Sequence, residues 1–355
     1  MRLSLEDKGQ AAVPDLGGQL LRIPNLTLEF AGWKQGVNPS YEQVRQNVDK
    51  RLGELIRGNE KVLGKARAGD LGLFASSWFP DVDYEDLETA ALFSIWAFFW
   101  DDAIDGSSDA SVSGLSIDGA SNDTVARGIA EAEKYRDQSL SFVRFHLLGG
   151  VESGTNVEPK APNVIFCCDE EALRSGFLGS IETYMEACVA ELKWRLSGKL
   201  PANADEFYQF RLQTSAVEMM LDLCGLSQEL TGVRVCSNKI SIIINELFSL
   251  KKELKDGAPL NLVPITMRAL NLNLDAATQV ILNDLHSNIR DFEQNANVLR
   301  ESTTSEHEDA AVESLERLIG AYQALVTCVL HFSIKSPRYG ILKDRQDDGS
   351  FVIAL

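Results

Sequence analysis

The chain has 355 residues, with 34 Lys or Arg against 52 Asp or Glu, so its formal net charge is −18 at pH 7. This acidic balance argues against a nucleic-acid binder, because affinity for a phosphate backbone depends on clustered Lys and Arg. A phosphorylated small molecule stays compatible with it, provided that metal ions bridge the two negative partners. The six cysteines show no CxxC spacing and the four histidines are scattered, so neither a disulfide framework nor a zinc site is indicated.

The first 20 residues predict a flexible leader, and they lack the charged start and apolar run of a signal peptide. The longest apolar run, Ala90–Trp100, is about half as long as a membrane span, which needs roughly 20 residues. We therefore expect a cytoplasmic protein with reduced thiols.

Helical patterns follow one another along most of the chain. The first helix is predicted to start at Asn38–Glu42, where a capping Asn precedes a Pro in the first turn, and to continue to about residue 68. Further helices are predicted at about 83–105, 123–148, 167–197, 203–224, 234–255, 275–300 and 309–333. Alternation of Val, Ile and Thr is scarce, so no sheet is expected. The sequence thus predicts one all-α domain over residues 21–345, followed by a tail at 346–355.

Three aspartates, Asp101, Asp102 and Asp105, directly follow an aromatic stretch of the helix predicted at 83–105. On a helix, Asp101 and Asp105 share one face and Asp102 lies beside them. Carboxylates this close repel one another, and Mg²⁺ offsets the repulsion. A solvated helix end is the plain alternative, because acidic clusters are frequent in an acidic chain. The aromatic wall before the aspartates favours instead a binding cleft with a charged mouth.

A second polar stripe interrupts an apolar helix farther along the chain. Asn245, Ser249 and Glu253 follow one another at intervals of four residues. At about 100° per residue, they lie on one side of the helix. Amide, hydroxyl and carboxylate oxygens in line can hold one hard divalent ion. The alternative is a polar stripe that simply faces solvent.

Two more segments carry cations that suit a phosphate. Arg211 lies in EFYQFRLQTS, and Arg338 and Tyr339 end the segment FSIKSPRY. An arginine fork can hold two phosphate oxygens, and a tyrosine hydroxyl adds another donor. Each arginine by itself is an ordinary surface residue, so the case for phosphate binding depends on the four segments together.

Taken in order, these four segments resemble those of class I terpene synthases of the single-domain microbial type and, more narrowly, of fungal sesquiterpene cyclases. Asp101–Asp105 matches the family motif DDxxD, and Asn245–Glu253 matches (N/D)xxx(S/T)xx(K/R)E. Glu206–Thr214 matches E(Y/F)xxxRxx(T/S), and Phe332–Tyr339 matches WSxxSxRY with Phe in place of Trp. The segments RIPNL and NPSYE near the start add to a likeness that spans nearly the whole chain.

The resemblance implies a role for each matching residue. Three Mg²⁺ ions are expected, held by Asp101 with support from Asp105, and by Asn245, Ser249 and Glu253. The groups implied to contact diphosphate are Arg211 as its sensor, Lys252, Arg338 and Tyr339, with Asp102 pairing with Arg338 when the site closes.

The same resemblance implies an all-α class I terpenoid synthase bundle around a central apolar cavity. The implied reaction is Mg²⁺-dependent loss of diphosphate from a prenyl diphosphate, with farnesyl diphosphate expected, and cyclisation to a sesquiterpene, as in fungal secondary metabolism. The aromatic candidates for lining the cavity and stabilising a carbocation are Phe74, Trp78, Phe93, Phe99 and Phe332.

The sequence departs from the family pattern at three places. The interval between Arg211 and Asn245 is shorter than is usual, which would shorten a helix of the cavity wall or disable the site. Ser215 replaces a frequent Gly beside a helix break, and Glu246 replaces a common Asp at a position that is not a ligand.

Two other functions stay open at this point. A chain-elongating prenyltransferase would need a second Asp-rich motif where the Asn245–Glu253 stripe stands, and none is there. A helical binding protein or inactive relative of the cyclases is the other, favoured by the short interval after Arg211. The sequence also leaves open whether the protein forms a homodimer.

Overall fold

Helices make up most of the chain in the computed structural model, which describes residues 14–104, 122–148, 171–197, 200–223, 230–255, 260–304 and 309–355. In chain order the helices are α1 (Tyr41–Leu55), α2 (Glu60–Gly69), α3 (Leu71–Trp78), α4 (Tyr84–Ile104), α5 (Asn122–Leu148), α6 (Glu171–Leu196), α7 (Ala204–Thr214), α8 (Val217–Leu223), α9 (Thr231–Lys255), α10 (Leu262–Leu270), α11 (Leu274–Thr304) and α12 (Asp309–Lys335). The all-α prediction is confirmed, and helices α4, α5, α9, α11 and α12 lie close to their predicted bounds.

The start of α1 differs from the prediction. The helix begins at Tyr41, with Ser40 as its N-cap, so Asn38 does not cap it. The buried Asn38 side chain instead donates from Nδ2 to the carbonyl oxygens of Phe79 and Val82, at 2.9 and 2.8 Å. Its amide therefore ties the start of α1 to the segment after α3, because a buried amide must find partners.

Three other features of the helices escaped the prediction. The helix predicted at 38–68 is two helices, because Gly58 adopts a positive φ of 79° and Asn59 caps α2. The helix predicted at 203–224 is interrupted between α7 and α8. The short helices α3 and α10 were not predicted, because both are too brief and too apolar to show a clear period.

A two-stranded sheet contradicts the expectation that no sheet forms. Strand β1 (Leu20–Ile23) pairs antiparallel with β2 (Phe351–Ala354), so that Leu20 lies opposite Ala354 and Ile23 opposite Phe351. The segment predicted as a tail thus adds a strand to the fold. Inward residues alternate along both strands, and the Phe351 ring packs edge-on against Phe248 of α9 at 5.3 Å. Four residues per strand are too few for the alternation to stand out in the sequence.

Helix α9 lies in the middle of the bundle, with α11 and α12 packed along it. Its apolar residues are almost completely buried: Ile240, Ile242, Ile243, Ile244, Leu247, Phe248 and Leu250. A helix that is apolar on nearly every side belongs in the interior of a bundle. The polar stripe that begins at Asn245 is therefore held on a rigid central element.

One helix in the described part of the chain, α12, is long and apolar enough to cross a membrane by length and composition. Its most apolar stretch is 61% buried inside the bundle. Packing against α9 and α3 accounts for this apolar character, since a core helix needs the same composition.

Candidate active site

The aspartate motif lies at the carboxyl end of α4, as the sequence predicted. Asp101 accepts a hydrogen bond at 3.3 Å from the hydroxyl of Tyr184 on α6, and the Tyr184 ring packs on Trp100. Asp102 belongs to α4 but its side chain is not described, and Asp105 lies outside the described residues. The structure therefore places one carboxylate of the motif, Asp101, against α6.

Arg211 connects α7 with the polar stripe of α9. Its Nε donates to Glu246 Oε1 at 3.0 Å, and its Nη2 donates to Asn245 Oδ1 at 3.1 Å. Burial by itself would lower the pKa of Arg211, but the carboxylates of Glu246, Glu191 and Asp101 raise it above the usual value. Arg211 therefore stays charged. It interacts electrostatically with Asp101 and by a hydrogen bond with Asn245 of the α9 stripe.

The segment after α12 closes the arrangement on the other side. Asn245 Nδ2 donates to the Tyr339 hydroxyl at 2.9 Å. The guanidinium of Arg338 lies 5.5 Å from the centre of the Phe98 ring. Phe98 belongs to α4 and precedes Asp101 by about one turn. The four predicted segments therefore meet at one end of the bundle, and the short interval between Arg211 and Asn245 does not separate those two residues.

Glu253, Ser249 and Asn245 share one face of α9, as predicted. Glu253 accepts a hydrogen bond from Asn261 at 2.9 Å. The Ser249 hydroxyl is buried one turn before Glu253 and lacks hydrogen-bonding geometry to any described group. Amide, hydroxyl and carboxylate oxygens with an unsatisfied hydroxyl among them fit a hard divalent cation.

Burial has the largest effect on the pKa values of the carboxyl groups on this side of α9. It raises the pKa of Glu253, which the neighbouring Asn261, Arg211 and Lys252 lower only in part. Burial likewise raises the pKa of Glu246, against the lowering effect of Arg211. Within the described ranges, no three His, Cys, Asp or Glu side chains come together, so a metal here would rely on amide and hydroxyl oxygens as well.

An aromatic cluster lies beside these polar groups. Phe74 of α3 packs edge-on against Phe332 of α12 at 5.0 Å, Phe98 of α4 at 5.6 Å and Trp78 at 5.7 Å. Phe332 also meets the Tyr339 ring at 6.3 Å. Three of the predicted aromatic residues thus form one surface next to the phosphate-binding candidates, and Phe98 joins them.

Two other predicted aromatic residues lie elsewhere. Phe93 is buried against Phe177 of α6 and Trp96. Phe99 keeps 36% of its surface exposed, whereas its neighbour Phe98 faces the cluster. The sequence could not separate Phe98 from Phe99, because the run of aromatic residues covers more than one side of α4.

The break between α7 and α8 lies four to five residues after Arg211. Ala216 adopts a left-handed φ of 62°, which ordinary residues avoid because Cβ crowds the backbone. The Ser215 hydroxyl donates to Asn238 Oδ1 at 2.9 Å, and the Asn238 amide donates to the Leu212 carbonyl and to Glu218. Asn238 of α9 therefore holds both sides of the break.

We expect Ala216→Gly to stabilise the protein, because glycine adopts a positive φ without strain. The expected gain is about 0.5–1 kcal/mol, after allowance for the greater freedom of glycine in the unfolded chain. The melting temperature measures it. The matched control is Ala66→Gly within α2, which should lose about 1 kcal/mol. Equal destabilisation by both changes would show that Ala216 is unstrained.

Several contacts in the site were not predicted. Glu246 was not expected to bind a metal. In the structure its carboxylate accepts a hydrogen bond from Arg211. Tyr184 and Asn261, which contact Asp101 and Glu253, belong to no motif noted in the sequence. The only signal for Asn261 is its position as a capping residue directly before an apolar helix.

Comparisons with known proteins point to the terpene synthases. The family model described as "Terpene synthase family 2, C-terminal metal binding" matches residues 166–291, the part that contains Arg211 and the α9 stripe. The sesquiterpene cyclase hepA of Aspergillus oryzae is 28% identical over 90% of this chain and 89% of its own length. The terpene cyclase braA of Annulohypoxylon truncatum is 23% identical over 91% of this chain and 86% of its own.

Solved structures share the fold. Germacradien-4-ol synthase from Streptomyces citricolor superposes with a TM-score of 0.64 at 17% identity, covering 85% of this chain and 96% of its own. Linalool/nerolidol synthase from Streptomyces clavuligerus gives a TM-score of 0.61 at 16% identity, covering 85% and 98%. The order of the four segments and their meeting at one end of a helical bundle agree with these likenesses, so the chain is similar in sequence and in fold to terpene synthases, among them fungal sesquiterpene cyclases.

Proposed function

We propose that the protein ionises and cyclises farnesyl diphosphate to a sesquiterpene and releases diphosphate, using three Mg²⁺ ions. The observation that carries the proposal is the continuous polar network from Arg211 through Asn245 to Tyr339, with Asp101 close enough to act on Arg211. The proposed metal ligands are Asp101 and Asp105 on one side and Asn245, Ser249 and Glu253 on the other. The oxygen donors described for this site fit the ion.

The chain's own residues would bind and orient the diphosphate. Arg211 and Arg338 offer planar forks to its oxygens, while Lys252 and the Tyr339 hydroxyl add single donors. Bound Mg²⁺ would supply the remaining positive charge, which stabilises the leaving group as its negative charge develops. No protein nucleophile is required, because the carbon–oxygen bond breaks to leave an allylic cation.

The aromatic cluster would hold the hydrocarbon chain. The Phe332 and Trp78 rings each lie within about 6 Å of the Phe74 ring, next to the proposed diphosphate-binding groups. A desolvated ring stabilises a nearby cation by roughly 0.5–2 kcal/mol. These rings also keep water from the cation, which would otherwise be quenched before it cyclises.

Incubation with farnesyl diphosphate and Mg²⁺, followed by gas chromatography of the headspace, tests the function. A cyclic 15-carbon hydrocarbon or alcohol is the expected product. A longer prenyl diphosphate would instead identify a chain-elongating enzyme. No turnover of prenyl diphosphates of any length would support the inactive relative, and chelation of Mg²⁺ should stop any authentic cyclisation.

We expect Arg338→Ala to weaken inhibition by inorganic diphosphate by about 10- to 100-fold, since a hydrogen bond between charged groups contributes roughly 1.5–3 kcal/mol. The inhibition constant in the cyclisation assay measures this effect. Arg345→Ala is the matched control, because Arg345 belongs to the same carboxyl-terminal segment and is exposed. Equal inhibition of Arg338→Ala and the unchanged protein would exclude Arg338 from the diphosphate site.

The raised pKa values of Glu246 and Glu253 predict a pH dependence of stability. A carboxyl whose pKa is higher in the folded protein binds its proton more tightly there than in the unfolded chain. The metal-free protein should therefore lose stability as pH rises above the ordinary carboxyl pKa of about 4.3. Mg²⁺ with diphosphate should oppose this loss, because the metal requires the deprotonated ligand.

Melting temperatures at pH 6 and pH 8, with and without Mg²⁺ and diphosphate, measure this dependence. The stabilisation by Mg²⁺ and diphosphate should be larger at pH 8, and Glu253→Gln should reduce the difference. A stabilisation that is the same at both pH values would contradict a metal-linked proton at this site.

The polypeptide would act as one catalytic domain that extends beyond residue 345, because β2 pairs with β1 and packs on α9. We propose the cytoplasm as its location, in keeping with the free thiols of the three cysteines in the described part of the chain. Whether two copies associate would be decided by size-exclusion chromatography with light scattering.

A further inference from the structure

Asn261 occupies an unusual place between two helices. It directly precedes α10 and is completely buried. Its Oδ1 accepts a hydrogen bond at 2.8 Å from the backbone N–H of Val263, which caps α10. Its Nδ2 donates at 2.8 Å to the Glu246 carbonyl oxygen and at 2.9 Å to Glu253 Oε2. One buried amide therefore connects the start of α10 to the metal-binding face of α9.

These hydrogen bonds fix the orientation of Glu253. A glutamate side chain has three rotatable bonds, so its carboxylate is mobile unless a neighbour holds it. Asn261 holds Oε2 and leaves Oε1 for another partner. An amide donor is uncharged, so it orients the carboxylate and leaves its negative charge in place. Lys or Arg would neutralise that charge. Groups that hold metal ligands in this manner commonly govern metal affinity.

The start of α10 acts on a second carboxylate in the same way. The backbone N–H of Leu262 donates at 3.1 Å to Glu246 Oε2, while Arg211 binds the other oxygen of Glu246. Residues 261 and 262 therefore orient the carboxylates of both Glu253 and Glu246. An asparagine that serves only as a helix cap uses its Oδ1, and its Nδ2 can then bind any acceptor. In Asn261 the Nδ2 instead binds two specific acceptors on α9.

We propose that Asn261 is a positioning residue for Mg²⁺: its Nδ2 holds Glu253 so that the other carboxylate oxygen faces the ion. The proposal rests on the proposed function, because it assumes that Glu253 is a metal ligand. Asn261 itself would not contact the metal or the substrate. Loss of its donor should weaken metal binding about 10- to 100-fold, the usual effect of removing such a partner.

The test uses Asn261→Asp in the full chain, with Mn²⁺ as a spectroscopic probe and inorganic diphosphate as its co-ligand. Asp keeps the size and the capping oxygen of Asn but replaces the donor with an acceptor that repels Glu253. Electron paramagnetic resonance titration gives the Mn²⁺ affinity. We expect it to fall at least tenfold, and the Mg²⁺ concentration for half-maximal turnover to rise more than kcat falls.

Asn59→Asp is the matched control, because Asn59 caps α2 through the Val62 N–H at 3.1 Å. It should leave Mn²⁺ affinity unchanged. Asn261→Ser, which is neutral and keeps a capping oxygen, gives the same comparison if Asn261→Asp does not fold. Folded Asn261 variants with the Mn²⁺ affinity of the unchanged protein would overturn the proposal, as would an equal loss in Asn59→Asp.

Failure of the underlying function gives a different result. If Glu253→Gln binds Mn²⁺ as tightly as the unchanged protein, Glu253 is no ligand and the metal assignment itself is wrong. If Glu253→Gln loses affinity while Asn261→Asp and Asn261→Ser keep it, the metal assignment holds and only the positioning role of Asn261 is refuted.

Discussion

We expect Asp101→Ala and Glu253→Ala each to lower turnover by about a thousandfold or more while the fold persists. Charge stabilisation by a bound metal contributes several kcal/mol to the transition state, and either change removes one of its proposed ligands. Both residues are only partly buried, at the end of the bundle where the four segments meet, so their loss opens no cavity in the core. Product formation from farnesyl diphosphate over a range of Mg²⁺ concentrations measures the effect.

Asp86→Ala provides the control for these two variants. Asp86 lies in the first turn of α4, at the end of the helix opposite Asp101, and it is exposed. Its substitution should leave turnover unchanged. Circular dichroism and melting temperature establish that each variant is folded. Unchanged Mg²⁺-dependent turnover in either Asp101→Ala or Glu253→Ala would count decisively against the metal assignment.

The second large effect concerns stability. We expect Arg211→Met to destabilise the protein by about 3 kcal/mol, because it leaves the Glu246 carboxyl buried without its partner. Glu246 has only 1% of its side chain exposed, so water cannot replace the lost guanidinium. Urea-induced unfolding measures the change. Turnover should also fall, since Arg211 is the proposed diphosphate sensor.

A double-mutant cycle with Glu246→Gln separates the pair from its surroundings. Once Glu246 is neutral, Arg211→Met should cost clearly less, with a coupling of about 1–3 kcal/mol. Arg300→Met is the control, because Arg300 binds Glu316 with two hydrogen bonds in a partly exposed pair. It should cost no more than about 1 kcal/mol. Similar costs at both arginines would mean that burial adds nothing to the Arg211–Glu246 pair.

The sequence predicted which helices carry the candidate residues better than it predicted which contacts hold those residues in place. The polar residues at 101 and from 245 to 253 stand out against apolar helices, so their period and order could be read directly. The contacts of Tyr184 and Asn261 could not be read, because they join residues whose proximity depends on how helices pack. Both residues also have ordinary alternative roles, as a core aromatic and a helix cap.

Backbone conformation was the other missing information. The break after α7 depends on a left-handed φ at Ala216, and alanine is a residue that normally favours a continuous helix. The helix preferences of the local residues do not predict that break, because tertiary contacts with Asn238 impose it. The Ser215 that replaces a frequent glycine indicated the position, but not that the following residue would adopt the strained conformation.

The β1–β2 pairing also has a practical consequence for protein engineering. The backbone N–H of Leu355 bonds the Gln19 carbonyl, and the N–H of Gly18 bonds the Leu355 carbonyl, both within about 3.1 Å. A short peptide linker could therefore join residue 355 to the segment that precedes β1. Circular permutants with new chain ends in an exposed connection would then keep the helical scaffold, and the new ends would offer attachment points for immobilisation.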